Sequence, residues 1–259
     1  AFEVLSYRWG VASIVLIVFG WLSGCNFRLA GKDWGVVFLL SLLRAVTSFS
    51  LIIAYQNIAS GVASTIHFMY PLAVALAMMF FFREKKSLLV ILAVLMSLLG
   101  AALLSLGELE AKSGNTMVGL VAACVSVFSY AGYIVGVRTT RAVQINSTAL
   151  TCYVMGLGTI FYLIGAYCTS GLQLVSDGYT WLIILGLALP ATAISNITLV
   201  QAIKYAGPTL TSILGAMEPL TAVVIGVFVF KELFTVNSAV GIILILLAVS
   251  IVVFRRQKS

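Results

Sequence analysis

Nine side chains in this sequence have the types and positions needed to handle a small polar ligand. Glu218 stands directly before Pro219, deep in a long apolar run. A carboxylate there must pair, take up a proton or face water. It suits proton coupling or contact with a substrate amine; a structural pair with Arg44 or His67 is the alternative. Arg44 lies about nine residues into another apolar run. It belongs to a polar stripe with Thr47, Ser48 and Tyr55 at helical spacing. Thr192, Ser195 and Asn196 form a second stripe of the same kind. One cavity lined by both stripes accounts for them better than scattered hydrogen bonds between helices. His67 and Tyr70 sit on the turn before Pro71. A lone histidine can carry a proton near neutral pH, or simply tie two helices together. Tyr130 and Tyr133 share a face with Ser126 and Ser129, and can bond or stack on a flat ligand. Helix packing beside Gly132-x-x-x-Gly136 is the other reading. Pro71, Pro219 and Gly215 are candidate hinges, because proline removes a helical hydrogen bond. Arg8, one turn into the first apolar run, is expected to snorkel to an interface.

The elements that must position these groups follow from composition. The chain has 259 residues, of which 62% are hydrophobic and 9% charged. Its mean hydropathy is +1.15. A soluble domain is about 45–50% apolar and about 25% charged. A helix crossing a bilayer needs about 20 apolar residues. Apolar runs at 3–22, 35–56, 60–82, 87–107, 117–137, 148–170, 180–203, 209–230 and 236–254 predict nine spans. They are continuous rather than alternating, which excludes a membrane β-barrel. The expected class is an all-α polytopic membrane protein.

The net charge of +7 does not point to nucleic acid. One set of alternate loops, with the C-terminal tail, holds eleven Lys and Arg residues, including Arg28, Lys32, Arg83, Lys85, Lys86, Arg138, Arg141 and Lys204. The other set holds Lys112 and Lys231, with Glu108, Glu110, Asp177 and Glu232. Positive loops stay inside, so the C-terminus is expected in the cytoplasm. The four cysteines are scattered without CxxC spacing, and a single histidine excludes a multi-histidine metal site. No cofactor is expected. With no Walker motif, ATP is not the driver; proton coupling is one option. The expected partners are a small-molecule substrate and the lipid bilayer.

The sequence also repeats itself at a shift of 148 residues. Gly61–Glu84 and Thr209–Glu232 share seven identities in 24, among them Pro71/Pro219 and Glu84/Glu232. Arg83-Glu84 and Lys231-Glu232 fall on opposite sides, so the copies are expected to be inverted. The expected halves are 1–110 and 111–259. The first holds four spans and the second five. The partner of the span at 117–137 would begin about 31 residues before Ala1, so a first helix is expected to be missing.

Ser60–Lys85 (SGVASTIHFMYPLAVALAMMFFFREK) and Ala206–Glu232 (AGPTLTSILGAMEPLTAVVIGVFVFKE) resemble the EamA-type module of the drug/metabolite transporter superfamily. The resemblance covers essentially the whole chain. It implies ten helices as two inverted five-helix repeats, of which nine are visible here. It implies a secondary transporter in a bacterial inner membrane, moving an amino acid or related metabolite by alternating access, most often outward. Cationic drugs and nucleobases or nucleosides are alternative cargoes. An intramembrane enzyme or a non-transporting receptor is a weaker fit, since no HExxH or GxSxG is present.

Overall fold

The structure is a computed structural model that describes residues 2–84, 88–105, 114–169, 177–215, 217–229 and 236–257. Lys85, Lys86, Glu108, Glu110, Lys112, Lys231, Glu232 and Lys258 lie outside the described residues. Among the described residues every regular element is helical. The helices are α1 (Phe2–Leu22), α2 (Trp34–Asn57), α3 (Ser60–His67), α4 (Tyr70–Phe81), α5 (Leu88–Ser105) and α6 (Thr116–Thr139). They continue as α7 (Ser147–Thr169), α8 (Gly178–Ala188), α9 (Ser195–Ala206), α10 (Pro208–Leu214), α11 (Met217–Val229) and α12 (Val236–Gln257). Taking α3–α4, α8–α9 and α10–α11 as interrupted passes, the described residues form nine helical passes. Among the described residues six helical stretches are long and apolar enough to cross a membrane. Each expected span meets its helix to within about three residues.

The side chains turned outward identify the solvent. On α5, Leu88, Leu92, Leu95 and Leu99 form one exposed stripe at helical spacing. On α1, Ile14, Ile17, Val18, Phe19, Trp21 and Leu22 are exposed. A water-soluble monomer does not leave so much contiguous apolar surface bare. These are lipid-facing surfaces, and the protein is a multi-pass membrane protein.

Prolines mark three interruptions. Pro71 and Pro208 stand in the first turn of α4 and α10, and Pro219 in the first turn of α11. A first turn is where the missing N–H costs least. In a continuous helix Pro219 kinks the chain and leaves the Gly215 carbonyl without its donor, which is the hinge expected of this pair. Instead α10 has already ended, and the Glu218 N–H turns back onto Gly215 O at 3.0 Å. Pro190 has another outcome. The ladder widens into a π-turn over Leu189–Ile194, which joins α8 to α9 without a break. Such turns often accompany functional sites.

The chain separates into two compact units, each drawing on both halves of the sequence. The first comprises residues 1–49 and 136–206. There α1 lies along α7, and glycines permit the approach. A Cβ at Gly158 would collide with the Trp9 ring, and one at Gly165 with Phe2. Ser41 donates to the Val154 carbonyl at 3.0 Å and Tyr162 to the Ala45 carbonyl at 2.8 Å, which fastens α2 to α7.

The second unit comprises residues 50–135 and 207–259. Its main core joins Ala75, Met79, Ala93, Val94, Ile213 and Ala248. A second core joins Ala54, Ile58, Ala63, Ala122 and Ala123. Glu84 accepts a hydrogen bond from Thr209 at 2.6 Å, so the end of the α4 pass meets the start of α10.

Asp177 caps α8, accepting from the backbone N–H groups of Tyr179 and Thr180. The Thr180 N–H above all holds this carboxyl below the usual carboxylate range. A lowered carboxyl pKa stabilises the fold above the unfolded value, and that gain is lost as pH falls through the folded value. Acidification below about pH 4 therefore loosens the first turn of α8. Faster amide exchange at Tyr179–Trp181, with no such pH response in Asp177→Asn, is the expected result.

Candidate functional site

The first unit builds a polar centre around the π-turn. Widening the helix brings the Thr192 hydroxyl to the Leu187 carbonyl, to which it donates at 2.9 Å. With its proton committed, Thr192 Oγ1 accepts from Arg8 Nε at 2.5 Å. Arg8 Nη2 donates to the Ala191 carbonyl at 3.3 Å. One turn further on, Asn196 Nδ2 donates to the Thr192 carbonyl at 2.7 Å. That bond orients the amide, so Asn196 Oδ1 faces Arg44 and accepts from its Nε and Nη2 at 3.3 and 3.2 Å. Arg44 Nη1 reaches Ser48 Oγ at 3.4 Å. Its guanidinium carbon stands 6.0 Å from the centroid of the Trp9 ring, within cation–π range. Trp9 is held in turn by an edge contact with Tyr162.

Arg44, Ser48 and Asn196 are therefore brought together. At the repeat shift, Ser48 and Asn196 are equivalent positions, and Arg44 bonds to both. Ser195 is exposed and spends its hydroxyl on the Ala191 carbonyl at 2.8 Å. It sits beside Asn196 in sequence, about 100° away around the helix. Arg8 does not snorkel as expected. Its partner Thr192 stands near the middle of the Gly178–Ala206 stretch. The sequence reading thus missed Arg8 and Trp9 as members of this centre. The available signal was the alignment of Arg44 with Thr192 in the repeat, which marks that turn as a polar level.

The second unit gathers His67, Tyr70, Tyr130 and Tyr133. His67 is stacked with Tyr130 at 5.5 Å between ring centroids, and Tyr70 meets Tyr130 edge-on at 4.6 Å. Tyr130 and Tyr133 are parallel at 6.5 Å. All four are buried. Ser126 donates to the Ala123 carbonyl at 2.6 Å. Its oxygen must then accept from His67 Nδ1, 2.9 Å away. In the neutral imidazole this contact places the proton on Nδ1. Ser129 spends its hydroxyl on the Val125 carbonyl at 2.7 Å. Glu218 is exposed, in the first turn of α11 and about halfway along 208–229.

The two positions before the aligned prolines differ. Tyr70 is buried and its hydroxyl projects at Gly215, in the break between α10 and α11. A Cβ there would overlap the Tyr70 oxygen. Tyr70 is 2% exposed and cannot swing aside. Gly215→Ala is therefore expected to cost about 1–3 kcal/mol, read as a lower melting temperature in detergent. Adding Tyr70→Phe removes the clashing oxygen, so the double variant is expected to be more stable than the two single changes sum to.

The family model described as the EamA-like transporter family matches residues 1–106 and 117–254. An uncharacterized transporter of Archaeoglobus fulgidus is 28% identical over 238 residues, covering 91% of this chain and 83% of the relative. A solved crystal structure superposes with a TM-score of 0.83 at 18% identity, covering 100% of this chain and 89% of that one. That likeness supports the fold.

Proposed function

Since the chain belongs to the EamA-like transporter family, we propose that it is a secondary transporter for a small metabolite, an amino acid or a related compound. The observation that carries this reading is the polar centre of Arg8, Arg44, Ser48, Thr192 and Asn196. Polar and charged groups inside a membrane are costly and mark substrate or ion paths. A packing role would be met by one or two hydrogen bonds. Here two cations and three polar side chains converge on a π-turn.

Transport proceeds by alternating access of the two inverted repeats, 1–110 and 111–259, in the direction of export. The breaks at Pro71 and at Gly215–Pro219 supply the bending points. The C-terminus is cytoplasmic and the membrane is a bacterial inner membrane, as the loop charges favour. Glu218 and His67 are the groups able to carry a proton. Flux of labelled amino acids into proteoliposomes, with and without a proton gradient, tests the reading. Saturable uptake above protein-free vesicles supports it. No flux of any amino acid, nucleobase or quaternary cation under either condition overturns it.

A further inference from the structure

The charges of the first unit are divided between its two ends. Helices α1 and α7 run antiparallel: Trp9 lies against Gly158, Phe2 against Gly165, and Ser13 donates to the Cys152 carbonyl at 3.4 Å. The end of α1 therefore stands beside the start of α7. That end of the unit carries Arg28 and Lys32 on the α1–α2 connection, Arg138 and Arg141 around the α6–α7 connection, and Lys204 near the end of α9. Its one acid is Asp33, just before α2. The opposite end carries Glu3 and Asp177.

Three of these cations are gathered at one corner. Arg138, in the last turn of α6, donates from Nη1 to the Lys204 carbonyl at 2.7 Å. Lys204 Nζ donates to the Ile145 carbonyl. Arg141 opens the short 3₁₀ turn Arg141–Gln144 that leads to Ile145. Both acceptors at this corner are neutral backbone carbonyls. Arg141 is exposed, and its guanidinium has no bond among the described residues. Residues 111–176 contain no acid, and neither do residues 178–206. Tyr205, next to Lys204, is exposed, and tyrosine gathers at the headgroup level of a bilayer.

Orientation in a membrane requires only that cations lie on one side. It does not require three of them at one corner, with no acid on the segments that carry them. A phosphodiester supplies the missing charge, and arginine matches its two free oxygens in a two-pronged geometry. Basic pockets between membrane helices hold anionic headgroups in this way.

We propose that the corner of Arg138, Arg141 and Lys204 binds the phosphate of an anionic phospholipid. This binding is independent of the transport reading and is tested apart from it.

The chain is purified in maltoside detergent and titrated with dioleoylphosphatidylglycerol or dioleoylphosphatidylcholine, and bound lipid is counted by native mass spectrometry. The two lipids share a phosphate, whose charge choline cancels in the second. Phosphatidylglycerol is expected to bind about 10- to 100-fold tighter, since each cation near an anionic headgroup contributes about fivefold. Arg141→Gln is expected to lower that preference about fivefold. Combining it with Arg138→Gln brings the preference close to one. The pair Arg28→Gln and Lys32→Gln, on the neighbouring connection, leaves it unchanged. Arg141→Gln breaks no bond among the described residues, so it decides even where the double variant loses helicity. Equal affinity for the two lipids overturns the proposal, and so does an unchanged preference in Arg141→Gln. An equal loss in the Arg28 and Lys32 pair also overturns it, because the attraction is then diffuse. Displacement of phosphatidylglycerol by an equal concentration of inorganic phosphate overturns it as well, because the corner is then a site for a soluble anion.

Discussion

Arg44→Ala is expected to lower transport by about 10- to 100-fold and to destabilise the protein at the same time. Arg44 holds Asn196 and Ser48 and lies against Trp9. On the proposed reading its removal deletes a charge-assisted contact to the cargo, worth about 1.5–3 kcal/mol. It also leaves Asn196 Oδ1 without its donor, and Asn196 is 3% exposed. An orphaned buried acceptor costs about 1–3 kcal/mol. The two losses separate in Arg44→Lys. Lysine restores charge but not the planar fork that serves Asn196 and Ser48 together. Thermal stability is expected to recover only in part, and uptake to remain well below wild type. Wild-type uptake by Arg44→Ala at equal reconstitution would remove the polar centre from the transport path.

Glu218→Gln abolishes proton-driven accumulation while leaving passive exchange. Of the eight acids in the chain, Glu218 alone lies away from the end of an apolar run. It occupies the first turn of α11 and is exposed, so glutamine fits without new packing. The first turn of a helix favours a carboxylate by about 0.3–1 kcal/mol. The substitution therefore changes titration far more than folding. Uphill uptake driven by an acid-outside gradient is expected to fall to background. Exchange of labelled for unlabelled substrate continues in the same vesicles. If uphill uptake persists in Glu218→Gln, Glu218 is not the coupling group, and His67, with its fixed Nδ1–H, becomes the next residue to replace.

The class and the nine passes were legible in the sequence, and so were two of the prolines at which passes are interrupted, though as kinks rather than breaks. Insertion into lipid depends on the summed hydropathy of about 20 neighbouring residues, and proline acts on its own turn. Both are local. The polar stripes were also legible, because residues three and four apart share a helix face. Their pairing was not. Arg44 finds Asn196 across 152 residues, and Arg8 finds Thr192 across 184. No local pattern encodes such a distance.

The aligned positions Tyr70 and Glu218 show the same limit. Each precedes a proline in its copy of the repeat, and the sequence treats them alike. The structure buries Tyr70 against Gly215 and leaves Glu218 exposed. Sequence by itself determined which segments leave water and, within about three residues, where the passes begin and end, because those are properties of short stretches. Only the tertiary structure decided that Arg8 reaches a mid-helix π-turn instead of an interface. A long side chain takes whatever acceptor the packed neighbours present, and that depends on helices far apart in the chain.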